Sequence, residues 1–172
     1  GMAVDRFSRV VLVGKATIDT GSRLVVVRLT AAGELDASFG GGDGIADFAY
    51  AATDDILNVA DVVVLSPPSD RLAILGVYDP ADPDLADAFL LVLTPAGSLD
   101  TTFNGTGKRA LTPLEGAASN RARALVVQSG RLVALGGYSS SSPSNHLAWL
   151  ARVQMSLIFR DDFGAGHLAL WS

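Results

Sequence analysis

The chain contains no cysteine, which excludes disulfide bridges and thiolate metal ligands. Histidine occurs only at His146 and His167, and neither stands in a metal-ligand spacing such as His-Glu-x-x-His. Charged residues make up 18% of the chain and the formal net charge is −5, a balance that argues against nucleic acid or anionic lipid as a partner. No apolar run reaches the roughly 18–20 residues of a membrane helix, so no membrane span is expected. Gly-x-Ser-x-Gly, Walker and EF-hand patterns are missing as well, and the sequence therefore predicts no catalytic residue, cofactor or metal of a standard kind. No basic, apolar signal segment follows Gly1-Met2-Ala3; the glycine reads as a tag remnant, and residues 1–8 as remnant and leader.

What the sequence does have is apolar content and repetition. Hydrophobic residues make up 49% of 172, enough for one domain with its own core. Three segments share one pattern, an arginine followed by apolar residues and a glycine five positions on: Arg9–Gly14, Arg71–Gly76 and Arg131–Gly136, with glycines 62 and 60 residues apart. A second pattern occurs twice at a spacing of 64: Leu29–Phe39 matches Leu93–Phe103 in register at Leu, Thr, Ala, Gly, Leu, Asp and Phe. A third pairs Ala60–Leu65 with Ala122–Val127. Three elements recurring in one order at nearly one period mark an internal repeat.

Each element reads as a strand. Leu24–Leu29, Val62–Leu65 and Phe89–Leu93 are short, rich in Val and Leu, and bounded by Gly, Pro, Asp or Ser. Ser129-Gly130 is a two-residue hairpin signal before Arg131. About four strands fit one period, which is the anatomy of a β-propeller blade, and negligible helix is expected. The predicted fold is an all-β, propeller-like array of about three four-stranded antiparallel blades; a β-trefoil, which also packs three four-stranded repeats, is the alternative. Residues 9–49 give a blade lacking one strand, 59–112 a complete one, and 121–159 a third completed by the tail.

The order Leu35–Gly40, Leu99–Gly105 and Gln128–Gly136 resembles the delta-60 repeat family, whose units run as Leu-Asp-x-Ser/Thr-Phe-Gly, a strand, then Gln-x-Gly-Arg and an apolar stretch ending in Gly. The resemblance spans about residues 9–154 and departs from the family at Asn104 and at the longer segment Ser66–Asp70. It implies a propeller-like fold in bacterial, often exported proteins, and no assigned activity. Residues 155–172 are similar to a short tail that ends many exported proteins of Gram-negative bacteria; the plainer reading is a final strand at Leu157–Phe159.

Four candidate chemistries follow. Asp79, Asp82, Asp84 and Asp87 form an oxygen-rich stretch of the kind Ca²⁺ requires, although two prolines and the lack of glycine favour a solvated loop. Gly105–Ala110 satisfies Gly-x-Gly-x-x-Ala, but Leu111-Thr112-Pro113 follows where a dinucleotide site needs a helix. Arg9, Arg71 and Arg131 open equivalent strands, either as a cationic row or as arginines each bonded to a nearby carbonyl or aspartate. Asp36 and Asp100, three residues before Phe39 and Phe103, read as caps of their own turns, with the two rings between neighbouring sheets. Gly14, Gly76 and Gly136 complete the repeat-structural set.

These residues predict a non-enzymatic binding or scaffold module with a protein or glycan ligand. One alternative is a carbohydrate-binding module using exposed Tyr50, Tyr78 and Tyr138; another is an enzyme with a site at the propeller axis built from Asp54, Asp55 and Arg121. Three blades fall short of the four to eight that close a ring, and a first blade missing a strand would leave an open edge. Self-association of two chains into a six-bladed ring is therefore expected.

Overall fold

Aliphatic-rich runs of three to ten residues, broken by turn-forming residues, give eleven strands in the computed structural model, which describes residues 1–18, 21–50, 55–65, 69–79, 86–111, 119–139 and 146–154. They are β1 (Met2–Val4), β2 (Val10–Ile18), β3 (Gly21–Leu29), β4 (Ile45–Phe48), β5 (Asp55–Val64), β6 (Leu72–Asp79), β7 (Asp87–Leu93), β8 (Lys108–Leu111), β9 (Ser119–Gln128), β10 (Arg131–Ser139) and β11 (His146–Gln154). The described residues contain no helix, and none is therefore long and apolar enough to cross a membrane.

Strands adjacent in sequence pair antiparallel, giving three separate sheets in the orders β1-β2-β3-β4, β5-β6-β7-β8 and β9-β10-β11. Sequential four-stranded sheets are propeller blades, and the six-stranded barrel with hairpin caps that defines a trefoil is not formed by the described strands. The Ser129-Gly130 turn has φ of 49° and 73°, positive at both positions. That is the type I′ geometry whose twist suits a two-residue hairpin, and it pairs Gln128 with Arg131.

Two sequence-based boundaries need correction. Met2–Val4, assigned above to a leader, pairs with β2 through Met2–Leu12, Ala3–Val11 and Val4–Val10. The first sheet therefore has four strands, and the edge expected to be open is covered. The third repeat element also slips by one residue. Val64 lies opposite Leu72 and Val127 opposite Leu132, so Val64 matches Val127 and Val62 matches Leu125. Burial agrees, since Val62 and Leu125 are both buried. A one-residue slip in a strand moves every side chain to the other face, so only one of the two alignments can bury both. The strand-completing tail lies outside the described residues.

The period-two alternation builds two cores. Leu72, Ile74 and Tyr78 of β6, with Phe89, Leu91 and Leu93 of β7, pack against Val11, Val13, Leu24 and Val26 of the first sheet. Ala73, Leu75 and Val77, with Ala88, Leu90 and Val92, pack against Leu125, Leu132, Ala134, Trp149 and Val153 of the third. The middle sheet is thus covered on both faces, and residues 72–78 are buried without a break. Burying each such aliphatic side chain is worth about 1.5–3 kcal/mol relative to exposure, so the middle sheet holds its two neighbours.

Candidate functional site

The repeated polar residues form one hydrogen-bonded unit used twice. Asp36 Oδ1 accepts from the Ser38 amide at 2.9 Å and the Ser38 hydroxyl at 2.7 Å, and Asp100 Oδ1 accepts from the Thr102 amide at 3.0 Å and hydroxyl at 2.6 Å. Both aspartates thereby hold an Asx-type turn that carries a phenylalanine into a core. Phe39 lies in the cluster between the first and second sheets, and Phe103 in that between the second and third. The second carboxylate oxygen of each faces the arginine that opens its sheet's second strand: Arg71 Nη1 donates to Asp100 at 2.8 Å, and Arg9 Nη1 lies 3.6 Å from Asp36. Arg9 and Arg71 are thus bonded inside their own sheets rather than arrayed as a free cationic row. Arg131 is exposed at the matching place.

The Ser38 hydroxyl, with the amide beside it and Arg28, outweighs burial and holds the Asp36 carboxyl down at about 2. Burial alone would raise the Asp100 carboxyl, but Arg71 and Thr102 overcome it and lower the pKa. Both carboxylates are fixed charges of the scaffold.

The repeated glycines answer to a different neighbour. A Cβ on Gly76 would stand 2.5 Å from the Phe89 ring, and one on Gly136 would stand 2.2 Å from both the Trp149 ring and the Arg121 carbonyl oxygen. Phe89 and Trp149 lie directly opposite these glycines on the adjoining strand, and each ring crosses over the bare backbone. Gly14 has Val25 opposite, and a Cβ there would meet nothing within 4 Å.

Cross-sheet polar links add to the apolar contact. Arg28, buried and placed over the Phe39 ring at 4.6 Å, donates Nε to Asp36 at 2.7 Å and Nη1 across the junction to the Pro95 carbonyl at 2.5 Å. The Gly40 amide donates to the Ala96 carbonyl at 3.0 Å. On the next junction, Asp61 Oδ2 accepts from the Leu125 amide at 2.9 Å. Lys108 donates from the second sheet to the Ala49 and Tyr50 carbonyls at 2.7 and 2.8 Å.

A cavity of about 250 Å³ opens between the first strands of the second and third sheets, lined by Leu57, Asn58, Val77, Ala86, Arg121, Ala122 and Arg123. Register shifts in β5 and β9 shape its walls. The pairing jumps from Ile56 to Asn58, leaving Leu57 unpaired, and from Ala122 to Ala124, leaving Arg123 unpaired. Bulges of this kind re-aim side chains out of the ladder. Arg121 and Arg123 have no acidic partner among the described residues. Beside the cavity, buried Asn120 donates its amide hydrogens to Asp87 Oδ1 at 3.1 Å and its backbone N–H to the Ala86 carbonyl at 2.6 Å. Burial pushes the Asp87 carboxyl up, and the Asn120 bond offsets part of that.

The remaining candidates fall as follows. Asp79 ends β6 and Asp87 opens β7, while Asp82 and Asp84 lie outside the described residues. Among the described residues no group of His, Cys, Asp and Glu could hold a metal ion. Gly105–Gly107 is a turn leading into β8, a strand where a nucleotide site would need a helix. Tyr78 is buried and Tyr50 half-buried, their rings 4.1 Å apart and both against Phe89, so neither is the exposed platform expected above. Tyr138 is described only through its backbone in β10. Asp54 lies outside the described residues, and Asp55 opens β5 opposite Asp79. His146 opens β11, and His167 lies outside the described residues. Sequence reasoning passed over Arg28, Asp61, Arg123 and Asn120.

A family model described as "Domain of unknown function (DUF5122) beta-propeller" matches residues 9–39, the stretch from the first repeat arginine through β2 and β3 to Phe39. No curated protein and no solved structure matches the chain. The match, together with three sequential antiparallel sheets packed face to face, identifies a β-propeller-like repeat domain.

Proposed function

We propose that this chain is a non-enzymatic interaction module of the delta-60 repeat kind, and that its binding surface is the cavity between β5 and β9. The observation that carries the reading is the pair Arg121 and Arg123, unpaired by acidic side chains among the described residues and set at the mouth of a cleft with apolar walls from Leu57, Val77 and Ala86. A few polar groups at the rim of an apolar concavity is the general form of a ligand site. Two guanidinium groups select a carboxylate-bearing ligand, because their donors match a carboxylate in bidentate geometry. The repeated Arg–Asp–Ser/Thr units support the same reading from the other side, since their polar atoms are engaged in holding turns and leave the bulged strands to vary.

The test is calorimetric titration of the intact protein with acidic peptides and with uronic-acid oligosaccharides, against neutral counterparts of each. Binding of an acidic ligand that drops at least tenfold in the Arg121→Ala, Arg123→Ala double variant is the expected result. Equal binding by the variant, or turnover of substrate in a hydrolase and lyase panel, would overturn it.

A further inference from the structure

The three sheets repeat not only their strands but the direction in which each strand's side chains face. Val11 and Val13, Ala73 and Leu75, and Val133 and Leu135 occupy equivalent positions and point toward the following sheet. Val10 and Leu12, Leu72 and Ile74, and Leu132 and Ala134 are likewise equivalent and point toward the preceding one. Wherever a neighbour is present these residues are buried: Leu75 and Ile74 are both 0% exposed. At the two ends Val10 and Val133 are half-buried and Leu12 and Leu135 are exposed, as are neighbours on the same faces. The last sheet presents Val126, Leu135 and Leu150 at 54%, 43% and 55% exposure, and the first presents Met2, Val4 and Leu12 at 65%, 58% and 38%. The forward face of the third sheet is therefore built to receive a sheet, and the backward face of the first is built to follow one.

A polar match accompanies the apolar one. Arg28 crosses the first junction to the Pro95 carbonyl in the turn after β7. The register places Arg152 of β11 where Arg28 stands in β3, because Trp149 opposite Gly136 corresponds to Val25 opposite Gly14. The residue corresponding to Pro95 is Ala31, which is exposed. Each end thus carries one half of a link that the first junction makes; Arg152, which donates to Gln128 Oε1 at 2.8 Å, would exchange that partner for the carbonyl.

We propose that two copies of the chain close a six-sheet ring, the forward face of each third sheet packing on the backward face of the other copy's first sheet. Arg152 donates to the Ala31 carbonyl across each of the two junctions. Each junction joins unlike faces, and the two-fold rotation that relates the copies makes both junctions at once, so the ring closes. Six sheets lie within the four to eight that closed rings contain. The occupant of each open face is a second copy because the two ends continue the interfaces already present inside the chain.

The native chain has no cysteine, so introduced thiols report geometry cleanly. Light scattering coupled to size exclusion is expected to give twice 17.8 kDa at micromolar concentration. Under mild oxidation, Leu12→Cys and Leu135→Cys variants should cross-link when mixed, and neither should cross-link with itself. Leu150→Glu, a change at an exposed position, should return a folded monomer by circular dichroism, and Arg152→Ala should weaken the dimer about tenfold, the scale of one charge-assisted hydrogen bond. Four results would overturn the proposal: a native monomer near 17.8 kDa, self-cross-linking of Leu135→Cys alone, a mass that keeps growing with concentration, or a Leu150→Glu dimer. Protection of Leu135→Cys from alkylation in a monomer would likewise overturn it, assigning the face to the chain's own tail.

Discussion

Alanine substituted at Gly14, Gly76 and Gly136 makes a three-point test of why the repeat ends in glycine. None of the three has a positive φ, so an alanine methyl is acceptable to the backbone at each, and only its surroundings differ. At Gly76 the methyl would sit 2.5 Å from a Phe89 ring carbon and 2.9 Å from the Asn58 carbonyl oxygen; at Gly136 it would sit 2.2 Å from the Arg121 carbonyl oxygen as well as the Trp149 ring. Displacing a buried ring costs about 1–3 kcal/mol, the usual range for overpacking. Gly136→Ala belongs at or above the upper end, because a carbonyl fixed in the β9–β10 ladder cannot rotate away. For a chain of this length each kcal/mol lowers Tm by about 2–4 °C, so drops of roughly 2–12 °C for Gly76→Ala and 6 °C or more for Gly136→Ala are expected. Gly14→Ala should leave Tm unchanged or raise it slightly, since interior strand glycines are about 0.5–1 kcal/mol worse than alanine. Differential scanning calorimetry of the three variants measures this directly. A cycle with Phe89→Val, which places beside Gly76 the residue that stands beside Gly14, should remove most of the Gly76→Ala cost. Three variants melting within a degree of one another would refute the ring-over-glycine account.

Other outcomes follow from the same contacts. Because the folded pKa of Asp36 lies at about 2, below the unfolded value of 3.8, its stabilisation is present above pH 3.8 and disappears as pH falls toward 2; Asp100 acts in the same direction. Acid melts of Asp36→Asn should therefore begin from lower stability and show a shallower decline over that window than the native chain. Ser129→Asn, at φ 49° beside Gly130, creates the Asn-Gly pair preferred in a type I′ turn and should stabilise by up to about 1 kcal/mol in urea titration. Amide exchange should be slowest in β6 and β7, the strands covered on both faces, and faster in β1 and β11; uniform protection across the sheets would contradict the packing.

Much of this was legible in the sequence because the repeat multiplied weak signals. One Asp-x-Ser/Thr-Phe is a common tetrapeptide, but two at a spacing of 64 predict a shared turn, and both turns have the same two bonds, from Ser38 and from Thr102. Features made by pairing distant backbone were not legible. Met2–Val4 is too short to show a period, and it becomes a strand only because β2 offers it an edge. The slip of the third element arises because the connection from Val64 to its partner Leu72 is longer than that from Val127 to Leu132, a difference that residue types do not register. Tyr50 and Tyr78 looked like exposed aromatics because composition reports a ring and not its facing. The cavity is hidden for a related reason: the sequence shows Arg121 and Arg123 as separate charges, and only the bulged strand brings them to one cleft.

The unequal faces of each sheet bear on how such chains change length. A sheet whose forward side fits the backward side of its own kind is a unit with a polarity, like a link that joins only head to tail. Removing the middle sheet would bring the forward side of the first against the backward side of the third, two surfaces already of matching type. Growth or loss by whole repeats then preserves every junction, whereas a gain of a single strand residue turns one face inside out. Selection acting on such a gene would tolerate duplication more readily than small insertion, and the extra residues Leu57, Ala60 and Arg123 persist where a bulge absorbs them before the register resumes.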